Sequence, residues 1–417
     1  MAAPVRIHRN PGTVVSLREG DAWSAHNLTS AQASVLAESE LVDLRPNRNG
    51  AWEIRPKNVI GAVRRGYGAD AVQLRILPKV RIDRLLFLLQ YAARGIEWRP
   101  EPVDATERDD LLPAIAHALC SAAERALLQG PLNGYREVRD SSPVARGRLL
   151  ITEQLRRRPG RPVPFEVEYD EYTADVPENR ILLGAVHHLL RLPDLTPAQR
   201  TRLRALATRL DGVHPAQPGR PLPLWSANRL NSRYSQALAL SDLVLRGASY
   251  EFDDGCDLLV DGLLLRMWMI YEEFVGKAVG AALDQDHRHA FSQTPDTSRH
   301  LDARRGHLLK PDLVHYRRSP DGPPRPVAVV DAKYKQDRSR DDLYQMLAYC
   351  LRLDLTEGHL VYVGGRPDTV EIPVPGGRIL IHRHRLDLAA PHVKLQLHIA
   401  AIADSVRRGL PSWAAGD

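Results

Sequence analysis

The spacing of apolar residues changes twice along the chain. Up to about residue 100 they fall in short runs between turn residues. Thr13–Leu17, Val59–Val63 and Ala71–Lys79 have strand length and strand composition. Leu41–Leu44 and Ala51–Ile54 flank Asn47-Arg48-Asn49-Gly50, which predicts a hairpin. A helix over Ile82–Ala93 closes this β-rich stretch. From about 105 to 245 the period is helical. Leu111–Gln129 is one amphipathic pattern, stopped by Gly130-Pro131. Thr196-Pro197-Ala198-Gln199 is a capping box with proline at the first helical position, and Leu203, Leu206 and Leu210 continue the helix. Pro215–Pro223 is a loop or linker.

From about 246 the two periods alternate. A long helix is expected over Gly262–Ala282, a buried strand over Val327–Tyr334, a helix over Asp341–Leu353 and a strand over Gly358–Val363. Strand, helix, strand in that order is a βαβ unit. Pro391–Arg408 is a closing amphipathic helix. The chain therefore reads as α+β and multidomain: a β-rich domain over 1–100, a mainly helical domain over 101–245 and an α/β domain over 246–417. No internal repeat or low-complexity tract interrupts it.

Composition narrows the class. With 417 residues, 43% hydrophobic and 26% charged, this is ordinary globular composition. A formal net charge of +6 permits nucleic-acid binding without arguing for it. The basic residues are nearly all arginine: only seven lysines occur, and three of them, Lys310, Lys333 and Lys335, fall in one short stretch. Cys120, Cys256 and Cys350 are far apart with no CxxC, which excludes a zinc ribbon and makes a reducing cytoplasm the expected location. Met1–Gly12 lacks a signal-peptide core, and no apolar run approaches the length of a membrane span.

The chemistry concentrates between Leu308 and Leu353. On a strand the side-chain period is two, so Asp331 and Lys333 share a face. A carboxylate beside an ammonium on a buried strand is costly unless a ligand uses both. Lys310-Pro311-Asp312 supplies a second carboxylate just upstream. A hard divalent cation beside a phosphate would use Asp312 and Asp331, and Lys333 would steady an attacking water or developing negative charge. Gln345 and Tyr349, four apart, share a helix face. The pair D-x-K occurs on many strands, and a helical Gln and Tyr are usually packing or surface residues. The ordered combination carries the signal. His359, His382 and His384 have no trusted metal spacing, and Cys350 has no paired histidine, so all four read as structural.

Asp312, Asp331 and Lys333 match the PD-(D/E)xK nuclease signature, and Gln345 with Tyr349 matches the QxxxY helix found in several of its branches. Over most of its length the chain resembles the McrC family, the nuclease subunit of McrBC-type modification-dependent restriction systems. Ile76–Val80 with the helix after it, Arg146-Gly147-Arg148, Asp170–Asp175 and Asn179–Leu182 carry that resemblance outside the nuclease motif. It implies a C-terminal PD-(D/E)xK domain cutting DNA with one or two Mg²⁺ ions, Mn²⁺ being able to replace them. It implies Glu272, within Ile270–Val275, as a further catalytic or metal-binding carboxylate, with Glu273 one position off the match. It also implies docking on, and stimulation of, a hexameric AAA+ GTPase or ATPase of the McrB kind. No G-x-x-x-x-G-K-[ST] loop occurs, so this chain is not expected to be the motor. Two other readings remain: a catalytically silent adaptor for such a motor, and a stand-alone DNA-processing nuclease.

Overall fold

Asn47–Gly50 turns the chain back on itself as its composition dictates. In the computed structural model the strands on either side pair antiparallel, Val42 opposite Pro56 through to Pro46 opposite Trp52. Gly50 takes φ +79°, a region that L side chains rarely adopt. The structure describes residues 13–66, 68–81, 84–85, 87–88, 111–192, 195–247, 249–251, 257–259, 261–284, 290–296, 299–302, 304–319 and 322–410. Met1–Gly12, Cys256 and most of the helix expected over Ile82–Ala93 lie outside these residues.

The elements run β1 (Thr13–Arg18), β2 (Ser24–His26), α1 (Ser30–Ala37), β3 (Val42–Pro46), β4 (Trp52–Pro56), β5 (Ile60–Arg65) and β6 (Val72–Leu77). Then come α2 (Leu111–Ala126), β7 (Gly134–Ser142), β8 (Arg148–Leu149), α3 (Ile151–Arg157), β9 (Phe165–Thr173), α4 (Pro177–Arg191), α5 (Pro197–Arg209) and α6 (Ser235–Arg246). After the short strands β10 (Ser249–Glu251), β11 (Asp257–Leu259) and β12 (Asp261–Leu265) follow α7 (Met267–Leu283), β13 (Ala290–Gln293), β14 (Leu313–Arg317) and β15 (Arg325–Lys333). The chain closes with α8 (Arg340–Leu353), β16 (Glu357–Tyr362), β17 (Asp368–Val374), β18 (Gly377–Arg385) and α9 (His392–Gly409). This is a mixed α+β chain with several sheets. Among the described residues no helix is long and apolar enough to cross a membrane.

Internal contacts divide it into two units, Met1–Asp109 with Leu264–Asp417, and Asp110–Leu263. In the second unit α2, α4, α5 and α6 bury the apolar faces that their periodicity implies. Thr196 and Gln199 make the expected capping box. The unit also holds a sheet, order β7-β9-β8, in which β7 and β9 pair over nine residues each. The alternation Phe165-Glu166-Val167-Glu168-Tyr169 is its sequence signal. The stretch Asp170–Arg180 is structural there. Asp175, 3% exposed, takes Arg136, Arg180 and the His214 backbone N–H. Burial works to raise its pKa, but these partners outweigh it and hold the carboxyl well below its usual range.

In the first unit the six-stranded sheet has the order β13-β14-β15-β16-β18-β17. β15, β16 and β18 run parallel, and α8 makes the crossover from β15 to β16 as the βαβ reading expects. One face packs on α8, where Met346, Tyr349, Cys350 and Leu353 meet Val329, Leu360, Tyr362 and Ile381. Gly358 permits that approach: a Cβ there would lie 2.6 Å from Met346 Sδ. The helix expected from Gly262 begins at Met267, because Gly262–Leu265 belongs to β12. A short apolar run is ambiguous between the two periods. Within α7, Gly276 lets the helix close on the strand entry, since a Cβ would stand 3.1 Å from the Asp312 carbonyl oxygen.

Candidate active site

Asp312 ends the turn before β14, and Leu313 pairs with Val330 on β15. Asp312 therefore lies beside Asp331, and its Oδ2 accepts the Ala332 backbone N–H at 2.7 Å. Asp331 is 2% exposed. Its face is set by parity: Val329, two residues earlier, packs in the α8-side core. Asp331 and Lys333 thus point toward α8, and Lys333 Nζ donates to Gln345 Oε1 at 2.7 Å. Lys333 Nζ also lies against Asp331 Oδ2. That ion pair closes Asp331 Oδ2 off from solvent.

The electrostatics are those of crowded carboxylates. Burial raises the Glu272 pKa to about 7, the Asp331 charge adds to this, and Lys333 opposes it. Burial also raises Asp312, with Asp331 and Glu272 adding like-charge repulsion. Asp331 is raised as well, since burial outweighs the help from Lys333. Burial would lower Lys333, but Asp331, Asp312 and Asp342 prevail and its pKa is raised, so it stays an ammonium. Tyr349, 3% exposed, is pushed up by burial and then by the charges of Asp331 and Asp312.

The structure brings Asp312, Asp331, Lys333 and Gln345 together by direct contact or through one backbone group. It places Glu272 and Tyr349 within their field. Glu273 points away: its side chain is 51% exposed and pairs with Lys277 at 2.7 Å. Cys350 is fully buried in the core. His359, His382 and His384 stack on one another, and His359 Nδ1 is 3.0 Å from His384 Nε2.

Sequence reading passed over two supports. Asp342 takes the Lys335 ammonium at 2.8 Å and the Tyr362 hydroxyl at 2.8 Å. It is the third residue of the α8 capping box begun by Ser339, a readable signal. Tyr334 donates to Glu19 Oε2 at 3.1 Å, from 315 positions away, and no local pattern announces that contact.

A divalent cation fits this donor set. Asp331 Oδ2 is closed off from solvent against Lys333, and burial with mutual repulsion holds the Glu272 and Asp312 carboxyls above their usual pKa, a cost that a cation would offset. Among the described residues no three His, Cys, Asp or Glu side chains form a ready cage. An open pair of carboxylates suits a hard cation that keeps waters and takes phosphate oxygens from a substrate.

Residues 54–363 match the family described as the McrBC 5-methylcytosine restriction system component. No curated protein matches the chain. Among solved structures, it is similar to a chain in a refined half-complex from a tetradecameric assembly of Thermococcus gammatolerans McrB AAA+ hexamers with bound McrC. The TM-score is 0.52 and the identity 19%, covering 94% of this chain and 100% of that one. A second likeness is to the cryo-EM structure of the Thermococcus gammatolerans McrBC complex, with TM-score 0.39 and 20% identity over 65% of this chain and 88% of that one.

Proposed function

The chain belongs to the McrBC family, and from that premise we propose that it is the DNA-cutting subunit, a PD-(D/E)xK endonuclease dependent on Mg²⁺. The observation that carries the reading is the buried Asp331 carboxylate paired with the Lys333 ammonium, with the Asp312 carboxylate held alongside. Asp331 and Asp312 would hold the ion, and Glu272 would be a further or indirect ligand. When bound, the ion polarises the scissile phosphate and lowers the pKa of a coordinated water. Lys333 places a fixed positive charge where the phosphate develops negative charge. Gln345 holds that ammonium toward the α8 side of β15. Tyr349 closes the floor and keeps its proton. Substrate phosphate would displace the Asp331 contact of Lys333, freeing both groups at once.

The partner is an AAA+ NTPase of the McrB kind. The likeness to a structure of McrB hexamers with bound McrC supports this. So does the absence of a phosphate loop from the chain, which leaves NTP hydrolysis to another subunit. The test is isolation from the native cell, then DNA cleavage with Mg²⁺ and NTP, beside Lys333→Ala. Co-purification of an AAA+ protein and cutting only by the unaltered complex is expected. Cutting by both forms would sink the site; a motor whose hydrolysis is stimulated equally by both forms, with no cutting by either, would favour the adaptor role.

A further inference from the structure

β15 ends at Lys333, and the chain turns there at once: the Lys335 backbone N–H donates to the Lys333 carbonyl at 2.8 Å. Tyr334, between them, points the other way, its ring against Tyr271 of α7 and its hydroxyl on Glu19. Both lysines reach α8. Lys333 Nζ donates to Gln345 Oε1 at 2.7 Å, and Lys335 Nζ donates to Asp342 Oδ1 at 2.8 Å. Asp342 and Gln345 are three apart on α8, so they are neighbours on one helix face, with Cβ atoms about 5–6 Å apart. The two ammoniums are therefore set side by side on the α8 face of the site, each by its own helix acceptor. Asp342 is near enough for its charge to act on both Asp331 and Lys333.

The contact between Lys335 and Asp342 is unequal. The Asp342 side chain is 7% exposed and that of Lys335 is 40% exposed. Asp342 Oδ2 also accepts the Tyr362 hydroxyl at 2.8 Å and the Ser339 backbone N–H at 3.4 Å, so the carboxylate is served from within the fold. Lys335 uses one of its three ammonium donors on Asp342, and no other partner for it stands among the described residues. A half-exposed ion pair adds little to stability. This one instead fixes a long side chain at the mouth of the site with donors to spare. We infer that Lys335 is a second phosphate-binding lysine, taking the phosphate next to the one held at Lys333 on the same DNA strand. This rests on the nuclease reading for what Lys333 holds. The two lysines then differ in role. Lys333 meets negative charge that develops during the reaction, whereas Lys335 meets a charge that is there from the start, and so serves binding.

The experiment uses the full chain carrying Asp331→Asn, which keeps both lysines and removes a carboxylate that would repel the phosphate. Binding of a labelled duplex is measured against salt without added metal, so that no DNA is consumed, with and without Lys335→Gln. Affinity is expected to fall about tenfold, alike for duplexes of different sequence. The slope of log K against log salt should become shallower by about 0.7–0.9, the share of one phosphate. Lys335→Arg keeps the charge and should keep the slope. Lys57→Gln removes the same charge from an exposed lysine between β4 and β5 and is expected to change neither quantity. Thermal melts of all forms should coincide, since the Lys335 side chain is half-exposed. An unchanged slope for Lys335→Gln overturns the proposal. So does an equal loss with Lys57→Gln, which would trace the effect to net charge, or an equal loss with Lys335→Arg. The nuclease reading fails by a different result, cutting by the Asp331→Asn form with its motor, Mg²⁺ and NTP, and the salt slope does not depend on that outcome.

Discussion

Asp312 accepts the Ala332 backbone N–H at 2.7 Å, and this single bond holds the carboxylate before β14 against the end of β15. The bond positions the side chain; the raised pKa shows what the position costs. Asp312→Asn keeps an acceptor for Ala332 and removes one repelling charge. Cutting is expected to fall by at least about 100-fold, while the metal-free protein gains on the order of 1 kcal/mol. Thermal melts without metal check the second half, and a lower Tm would contradict the repulsion argument.

Gln345 stands on the solvent-facing side of α8 and holds the Lys333 ammonium. Gln345→Ala leaves Lys333 to Asp331 alone. Loss of such a supporting partner is expected to lower kcat by about 10–100-fold, with DNA affinity unchanged. Single-turnover cleavage beside a binding titration separates the two; a fall in affinity alone would assign Gln345 to the DNA instead.

Adjacent glutamates on α7 have opposite fates. Glu273 is half-exposed and paired with Lys277, an arrangement worth about 0.3–0.5 kcal/mol. Glu273→Ala should leave cutting intact. Glu272→Gln should raise the Mg²⁺ concentration needed for half-maximal cutting, since its carboxylate sits in the field of Asp331 and Lys333. Equal Mg²⁺ titrations for both variants would show that Glu272 has no part in the site.

Tyr334 ties the end of β15 to the sheet of β1 and β6 through Glu19, which is 3% exposed and also accepts the Lys79 backbone N–H at 3.3 Å. Tyr334→Phe strips a donor from a buried carboxylate and is expected to cost about 1–3 kcal/mol. Adding Glu19→Gln removes the charge left behind and should recover part of that loss. Urea unfolding of the single and double variants is the check, and a double variant no better than Tyr334→Phe would show that the buried charge is not the cause.

The stacked histidines set an acid limit. Burial lowers His359 well below its ordinary value and His384 to about 4, and the neighbouring imidazoles and Arg408 add to the effect. Both rings are neutral in the folded chain while the unfolded chain takes up protons below about 6.5. Stability is therefore full above that pH and lost as pH falls toward 4. His384 alone accounts for on the order of 2 kcal/mol between pH 7 and pH 5. His384→Gln should flatten the dependence; an equally steep loss would place the acid sensitivity elsewhere.

Much of this protein was legible residue by residue. The shared face of Asp331 and Lys333, the βαβ order, the hairpin at Asn47–Gly50 and the capping box at Thr196 all follow from local backbone geometry. That geometry is encoded within a few positions. The boxes at Thr29–Gln32 and Ser339–Asp342 were equally local, and α1 and the role of Asp342 could have been read from them.

Tertiary structure decided the rest, because burial and electrostatics are sums over neighbours that the chain order does not reveal. Sequence placed an apolar run at Gly262–Leu265, but only pairing made it a strand. The resemblance favoured Glu272 over Glu273, and packing of α7 put one in a field of carboxylates and the other beside Lys277 in solvent. Glu19 reached Tyr334 through a contact between elements far apart along the chain. Local periods chose the elements and the faces; long-range packing chose which charges lost their water, and so which of them could work.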